Sequence, residues 1–280
     1  MDKSGSTDLH SRLTQHPLVM SNQGKLGKET GYWPWRRYGI LHKTKGERKL
    51  PLDDYLDMFK ETGHLIETTN TTSLITGDAT PMDLWDFRSW PMIPQNKGRK
   101  EPLVLTPHFV KYIHGEHSPK FIIQFREPVE RLYSDYIFLH YGKDQYEFHN
   151  HSLQAIEMMN DCLRNSTRRL CYFSSELYQR LPTRIHLGCY SVFLQEWFSV
   201  FPQNAFLITR TDEYERDMTS TLTRVFQFLD LPLLSEFQMT KIINKERVRI
   251  TPNKTGVILP ETVEALRQFY DSCNKETAEM

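Results

Sequence analysis

The stretch Lys120-Phe-Ile-Ile-Gln-Phe-Arg126-Glu-Pro128-Val-Glu-Arg-Leu-Tyr-Ser134-Asp-Tyr136 places an arginine and a hydroxyl where they can hold an anion. The apolar residues before Arg126 suit a buried strand, and Pro128 suits the first turn of a helix. Val129, Leu132, Tyr133, Tyr136 and Ile137 fall on one face of that helix, while Arg131, Ser134 and Asp135 turn elsewhere. A strand that delivers an arginine to a helix N-terminus, with a serine two turns on, suits a phosphate. The opening of the chain offers a second cradle, because Lys3-Ser4-Gly5-Ser6-Thr7 runs into a helical pattern at Asp8. Backbone N–H groups and the helix dipole would there face a ligand. Two cradles fit a ligand with two separated phosphates. The plainer alternatives are an i,i+4 Glu127–Arg131 surface pair and a frayed, serine-rich N-terminus.

Elements that could position these groups alternate along the chain. Residues 73–77, 120–125 and 205–209 read as short strands, each followed by polar residues. Helical patterns cover residues 8–14, 52–61, 128–140, 153–163, 190–200, 212–229 and 260–270. Strands alternating with helices predict an α/β fold with a mostly parallel sheet and ligands at the strands' C-terminal ends. Residues 91–119, rich in proline, lysine and histidine, read as an irregular surface excursion.

Composition bounds the function. With 280 residues, 39% of them hydrophobic, the chain can bury one sizeable core, and no linker interrupts residues 1–280. Formal net charge is zero, which argues against nucleic acid as a partner. No apolar run is long enough to span a bilayer, so no membrane contact is expected within the chain. Basic residues gather at Arg36, Arg37, Lys43, Lys45, Arg48 and Lys49, at Lys97, Arg99 and Lys100, and at Arg164, Arg168 and Arg169. Four cysteines are too few for a disulfide scaffold and lack metal spacing. His114/His117 and His149/His151 read as loop histidines, and no metal site is expected. Asn70, Asn150, Asn165 and Asn253 head glycosylation sequons, which lean towards a secretory history.

The Lys3–Thr7 and Arg126–Tyr136 segments resemble the 5′-phosphosulfate loop and the 3′-phosphate motif of the Golgi carbohydrate sulfotransferases. The resemblance continues in order through KETGYWPWRRYGI, GDATPMDLWD, the Cys162/Cys171 segment, YSVFLQEWFSVFPQNAFLITR, RVFQFLDLPLLSE and LRQFYDSCN. It implies a P-loop-like three-layer fold and 3′-phosphoadenosine 5′-phosphosulfate (PAPS) as sulfate donor. In this family the phosphosulfate loop follows a central strand, and the chain begins almost at the loop, so an N-terminally truncated domain without its first strand is expected.

The resemblance also implies roles. Lys3 would stabilise charge on the bridging and leaving oxygens, and Ser4, Gly5, Ser6 and Thr7 would hold the 5′-phosphate. Arg126 and Ser134 would grip the 3′-phosphate, and Lys254 would reach the donor from a C-terminal loop. Glu29 matches the catalytic glutamate, a base for the acceptor hydroxyl. The plainer reading is a surface Lys28–Glu29 pair beside a core tryptophan. Trp33, Arg36, Arg37 and Asp78 would line a sulfated glycosaminoglycan acceptor, and Cys162–Cys171 would form a local disulfide. Gly31 stands where many heparan-type relatives have histidine, and Asp78-Ala79 where they carry Glu-Lys. Both departures point to the branch that sulfates the 6-hydroxyl of 4-sulfated N-acetylgalactosamine in chondroitin or dermatan. Family members work in the Golgi lumen. The rival readings are a truncated, non-catalytic glycan-binding remnant and a P-loop nucleotide or sugar kinase, the latter lacking G-x-x-x-x-G-K-[ST].

Overall fold

The computed structural model describes residues 1–41, 44–45, 48–248 and 256–280. Lys43, Asn253 and Lys254 lie outside the described residues. The chain opens with α1 (Ser6–Leu13) and β1 (Val19–Met20), followed by the antiparallel pair β2 (Ile40–Leu41) and β3 (Thr44–Lys45). Next come α2 (Leu52–Leu56), α3 (Lys60–Thr69) and β4 (Ile75–Thr76), which pairs parallel with β1. The helix α4 (Thr106–His114) leads into β5 (Phe121–Phe125). Five helices follow: α5 (Pro128–Phe138), α6 (Gln145–Asn165), α7 (Arg168–Tyr172), α8 (Ser175–Arg180) and α9 (Tyr190–Phe198). The strand β6 (Phe206–Arg210) then pairs parallel with β5, from Phe121 opposite Phe206 to Phe125 opposite Arg210. The helices α10 (Thr211–Arg216), α11 (Met218–Phe228), α12 (Glu236–Ile243) and α13 (Pro260–Glu279) complete the chain. The fold is α/β, with parallel strand pairs flanked by helices, as the sequence predicts.

Two apolar clusters hold the layers. Leu132, Phe148, Phe193, Leu266 and Tyr270 are fully buried where α5, α6, α9 and α13 pack around β5. Leu9, Tyr214, Leu222, Phe226 and Met239 join α1 to α10, α11 and α12. Burial of such side chains contributes about 1.5–3 kcal/mol each. Between these helices Arg12 closes a polar contact. It bonds Asp8 on its own helix and donates to the carbonyls of Ile243 (3.0 Å) and Lys245 (2.9 Å) at the end of α12. An arginine facing orphan C-terminal carbonyls satisfies both charge and hydrogen bonds.

Several boundaries differ from the pattern-based expectation. Residues 91–119 are not wholly irregular, because Pro107 fills the first turn of α4 and His108 Nδ1 accepts the Leu105 N–H at 3.2 Å. Asp144 caps α6 by accepting from Tyr146 and Glu147, so this helix starts eight residues before the predicted Leu153. It thereby carries His149 and His151, which are helical and not loop residues. His149 bonds Thr262 at 2.7 Å and His151 bonds Tyr136 at 2.8 Å. The predicted helix 212–229 breaks at Asp217, which caps α11 through Ser220 N. The segment after Cys162 holds α7 and α8, α12 was not foreseen, and α13 runs on to Glu279.

Cys162–Cys171 is a disulfide, as the resemblance implies. A second one, Cys189–Cys273, joins the start of α9 to α13 and corrects the view that four cysteines build no framework. Arg168 and Arg169 are engaged with Glu276 and Glu196, so that basic group serves packing. The side chains of the other sequon asparagines, Asn70, Asn150 and Asn165, are exposed or lie at helix ends on the surface. Among the described residues no helix is long and apolar enough to cross a membrane.

Candidate active site

The first cradle is a tight loop. Gly5 takes φ +82° and precedes α1, where its carbonyl accepts from Asp8 N and Leu9 N, both at 3.1 Å. That left-handed conformation favours glycine. The opening N–H groups of α1 then lack intrahelical acceptors and point outward. Ser4 is fully buried, and its Oγ has no hydrogen-bond partner among the described residues. Beside Gly5 lies the Gln124 amide of β5, buried to 2% exposure, whose nitrogen and oxygen are likewise unpartnered. Buried polar atoms without partners are expensive, and three of them meet at this corner. Thr211 Oγ1 ties the loop to the sheet, lying 2.9 Å from both the Ser4 and the Phe125 carbonyls.

The second cradle stands at the C-terminal end of β5. Arg126 leaves the strand there, its carbonyl held by Tyr190 Oη at 2.7 Å. Its guanidinium reaches Glu130 at 3.2 Å and stays partly exposed. Glu127 caps α5 by accepting from Glu130 N at 2.8 Å, so the Glu127–Arg131 surface pair does not form. The residues expected to turn away from the apolar face are buried too. Arg131, Ser134 and Asp135 are all at 2% exposure or less. Arg131 and Asp135 pair with each other, and Arg184 joins Asp135. Burial alone would raise the Asp135 pKa, but the charges of Arg184 and Arg131 outweigh it and hold the pKa below its ordinary value.

Arg184 also reaches Asp2 at 3.4 Å, and Asp2 accepts from Trp85 Nε1 at 2.9 Å. The two cradles are thus fastened together by Asp2, Arg184 and Asp135. Lys3 lies between them, with Nζ 3.8 Å from the centre of the Phe138 ring, and burial lowers its pKa.

Glu29 approaches the first cradle from a loop fixed by its own backbone. Lys25 N donates to Glu29 O at 2.8 Å and Glu29 N to Lys25 O at 3.0 Å. The Asn22 amide ties this turn to Lys28 O (2.8 Å) and Gly77 O (2.7 Å). Gly24 is dictated by close approach, since a Cβ there would lie 2.4 Å from Glu29 O. Asp78 commits both oxygens to this loop. It accepts from the Thr30 N–H at 3.3 Å, the Thr80 hydroxyl at 2.7 Å and the Thr30 hydroxyl. Asp78 therefore organises the loop, and the side chain stays half-buried. Burial raises its pKa against these hydrogen bonds.

Of the other acceptor-side residues, Trp33 is only 5% exposed and packs on Tyr32, Tyr55 and Arg37, less open than a sugar-stacking ring needs to be. The Arg37 guanidinium lies 4.5 Å from the ring centres of both Tyr38 and Phe109, and burial lowers its pKa. These residues line a cavity of about 290 Å³ with Ile93 and Tyr112. Arg36 reaches the Thr30 carbonyl at 3.4 Å. Val248 and Gly256, which flank the segment containing Lys254, bond Asp8 on α1 and Tyr133 on α5.

Two features beside the site escaped sequence reasoning, the Gln124 amide and the burial of Lys28, whose pairing with Glu29 is the plainer reading. Gln124 is a lone amide in an apolar strand, a signal that was legible. Lys28 is a lysine at 1% exposure, beside Glu29. Its Nζ lies 2.6 Å from Glu29 Oε1 and 3.4 Å from Ser6 Oγ.

Comparison with known proteins bears on this arrangement. The sulfotransferase domain family matches residues 1–254. Carbohydrate sulfotransferase 15 from Rattus norvegicus and that from Homo sapiens are each 33% identical over 293 residues, covering 99% of this chain and 51% of theirs. The chain therefore spans about half the length of these curated relatives. The protein of the same name from Nototodarus sloanii is 34% identical over 131 residues, which is 46% of this chain and 82% of that one. In fold the chain is similar to a crystal structure of a sulfotransferase from Alicyclobacillus acidocaldarius, with a TM-score of 0.53 at 16% identity, covering 98% of this chain and 90% of that one. The domain match over residues 1–254 and the likeness along the chain agree: it belongs to the sulfotransferase family, among the carbohydrate sulfotransferases.

Proposed function

We propose that residues 1–280 form a single sulfotransferase domain that moves sulfate from PAPS to a glycosaminoglycan hydroxyl in the Golgi lumen. The acceptor in this reading is the 6-hydroxyl of 4-sulfated N-acetylgalactosamine in chondroitin or dermatan sulfate. The observation that carries it is the fixed pairing of two anion cradles through Asp2, Arg184 and Asp135, with a carboxylate beside one of them. A donor with phosphates at both ends of its nucleoside needs two cradles at constant separation.

The donor supplies a sulfuryl group on a good leaving phosphate, and positioning with charge neutralisation does most of the remaining work. Ser4, Gly5, Ser6 and Thr7 hold the 5′-phosphate, with Lys3 at its charged oxygens. Arg126 holds the 3′-phosphate with Ser134, exchanging its Glu130 contact for the ligand. Glu29 takes the proton of the acceptor hydroxyl. Arg36 and Arg37, beside that base, attract the sulfated chain, and Lys254 is assigned to the donor on resemblance alone. No metal takes part in this reading.

The test is calorimetric titration with 3′-phosphoadenosine 5′-phosphate, with Arg126→Ala as control, followed by transfer of labelled sulfate to chondroitin 4-sulfate. Micromolar binding lost in Arg126→Ala, and transfer lost in Glu29→Gln, are expected. Chondroitin sulfate binding by a folded chain that ignores the nucleotide would support a non-catalytic glycan binder instead.

A further inference from the structure

Lys28 is a buried cation with two neighbours of different kinds. Its backbone is fixed, because its carbonyl accepts from both the Asn22 amide (2.8 Å) and Ala79 N (3.0 Å). Its ammonium lies against Glu29 Oε1 at 2.6 Å and within 3.4 Å of Ser6 Oγ in the first cradle. Among the described residues Glu29 is its one ion-pair partner. The nearby His10 ring on α1 is kept neutral, with burial and then Lys28 lowering its pKa to about 4. A lysine this deep requires a compensating negative charge at every stage. Once Glu29 is protonated, that charge must come from elsewhere.

We infer that Lys28 is a second, switchable cation of the phosphosulfate loop, paired with Glu29 while the carboxylate is ionised and turned to the Ser6 side when Glu29 is neutralised. This inference rests on the sulfotransferase reading of the site. In transfer, the acceptor O–H bond breaks and its proton goes to Glu29. The oxygen's electron pair forms the bond to sulfur, while the sulfur–phosphate oxygen bond breaks and leaves its pair on the phosphate. Glu29 loses one negative charge as the phosphate gains one. Lys28, already in reach of Ser6, then meets the new charge. Proton uptake at one side of the ammonium and charge release at the other become a single event.

The prediction concerns binding and can be read without turnover. Glu29→Gln removes the resting partner of Lys28, so 3′-phosphoadenosine 5′-phosphate should bind that variant roughly tenfold tighter than wild type, the scale of one charge-assisted hydrogen bond. In Glu29→Gln/Lys28→Met the gain should vanish. Lys28→Gln in the same background, with thermal melts of every variant, provides a second check should the methionine perturb folding. Unchanged affinity in Glu29→Gln would overturn the switch. So would a gain that persists in the double variants, because simple removal of a negative charge would then explain it. A wild type that does not bind the nucleotide removes the sulfotransferase reading itself, and this inference with it.

Discussion

Arg184 grips Asp135 with two nitrogens, one of them 2.7 Å from Oδ2, although the two residues lie 49 positions apart. A third contact from the same guanidinium goes to Asp2, so one side chain joins the loop of the first cradle to the helix of the second. Removing it would leave a carboxylate buried with only Arg131 opposite. Arg184→Ala should therefore cost about 3 kcal/mol in urea unfolding, within the range for breaking a buried pair. It should also weaken nucleotide binding more than Arg184→Lys does. Equal affinities for the two variants would separate stability from cradle spacing.

Gly24 sets the position of Glu29 without touching any ligand. A methyl group there would press on Glu29 O at 2.4 Å, and backbone has little room to give. Gly24→Ala should lower kcat about 100-fold, the effect of moving a reacting group by roughly an ångström. Affinity for 3′-phosphoadenosine 5′-phosphate should stay near wild type. Wild-type turnover in this variant would show that the carboxylate is held from elsewhere.

The pH dependence of stability follows from His10. Burial, then Lys28, lowers its pKa to about 4 from an unfolded value of 6.5. Between these values the unfolded chain binds more protons than the folded one, so acidification favours unfolding. Stability should begin to fall as pH drops through 6.5 and continue towards 4. The buried His186, also lowered, acts in the same direction. Melting temperatures at pH 7.5 and 5.0 should show a smaller loss for His10→Gln than for wild type; identical losses would discard this assignment.

The two disulfides close loops of different length, with sequence separations of 9 and 84. In the chain-entropy account the longer loop stabilises more, by about 2 kcal/mol for these lengths. Cys189→Ser/Cys273→Ser should therefore lower the melting temperature more than Cys162→Ser/Cys171→Ser. The reverse order in calorimetry would point to strain or residual structure in the unfolded chain.

The parts of the site that were legible are those written in local sequence. Pro128 after an apolar run announced the strand-to-helix turn at Arg126, and Gly5 among hydroxyls announced the first loop. The task of Asp78 was not legible, because its partner Thr30 is 48 residues away. The burial of Lys28 depends on packing that no spacing rule expresses, and a Lys-Glu dipeptide reads as a surface pair. Trp33 carried an acceptor-lining expectation, and its packing against Tyr32 and Tyr55, which leaves it buried, is not written in local spacing. The helix α4 was hidden by proline, which breaks helices in their interior but starts them well.

Tyr190, whose hydroxyl holds the Arg126 carbonyl, directly follows Cys189 and stacks on Phe125 with ring centres 4.1 Å apart. The covalent bond from Cys189 to α13 thus anchors the peptide that presents the arginine. Oxidation state and the placing of Arg126 share one mechanical link, and a chain matured in a reducing compartment would offer its arginine from an unmoored support.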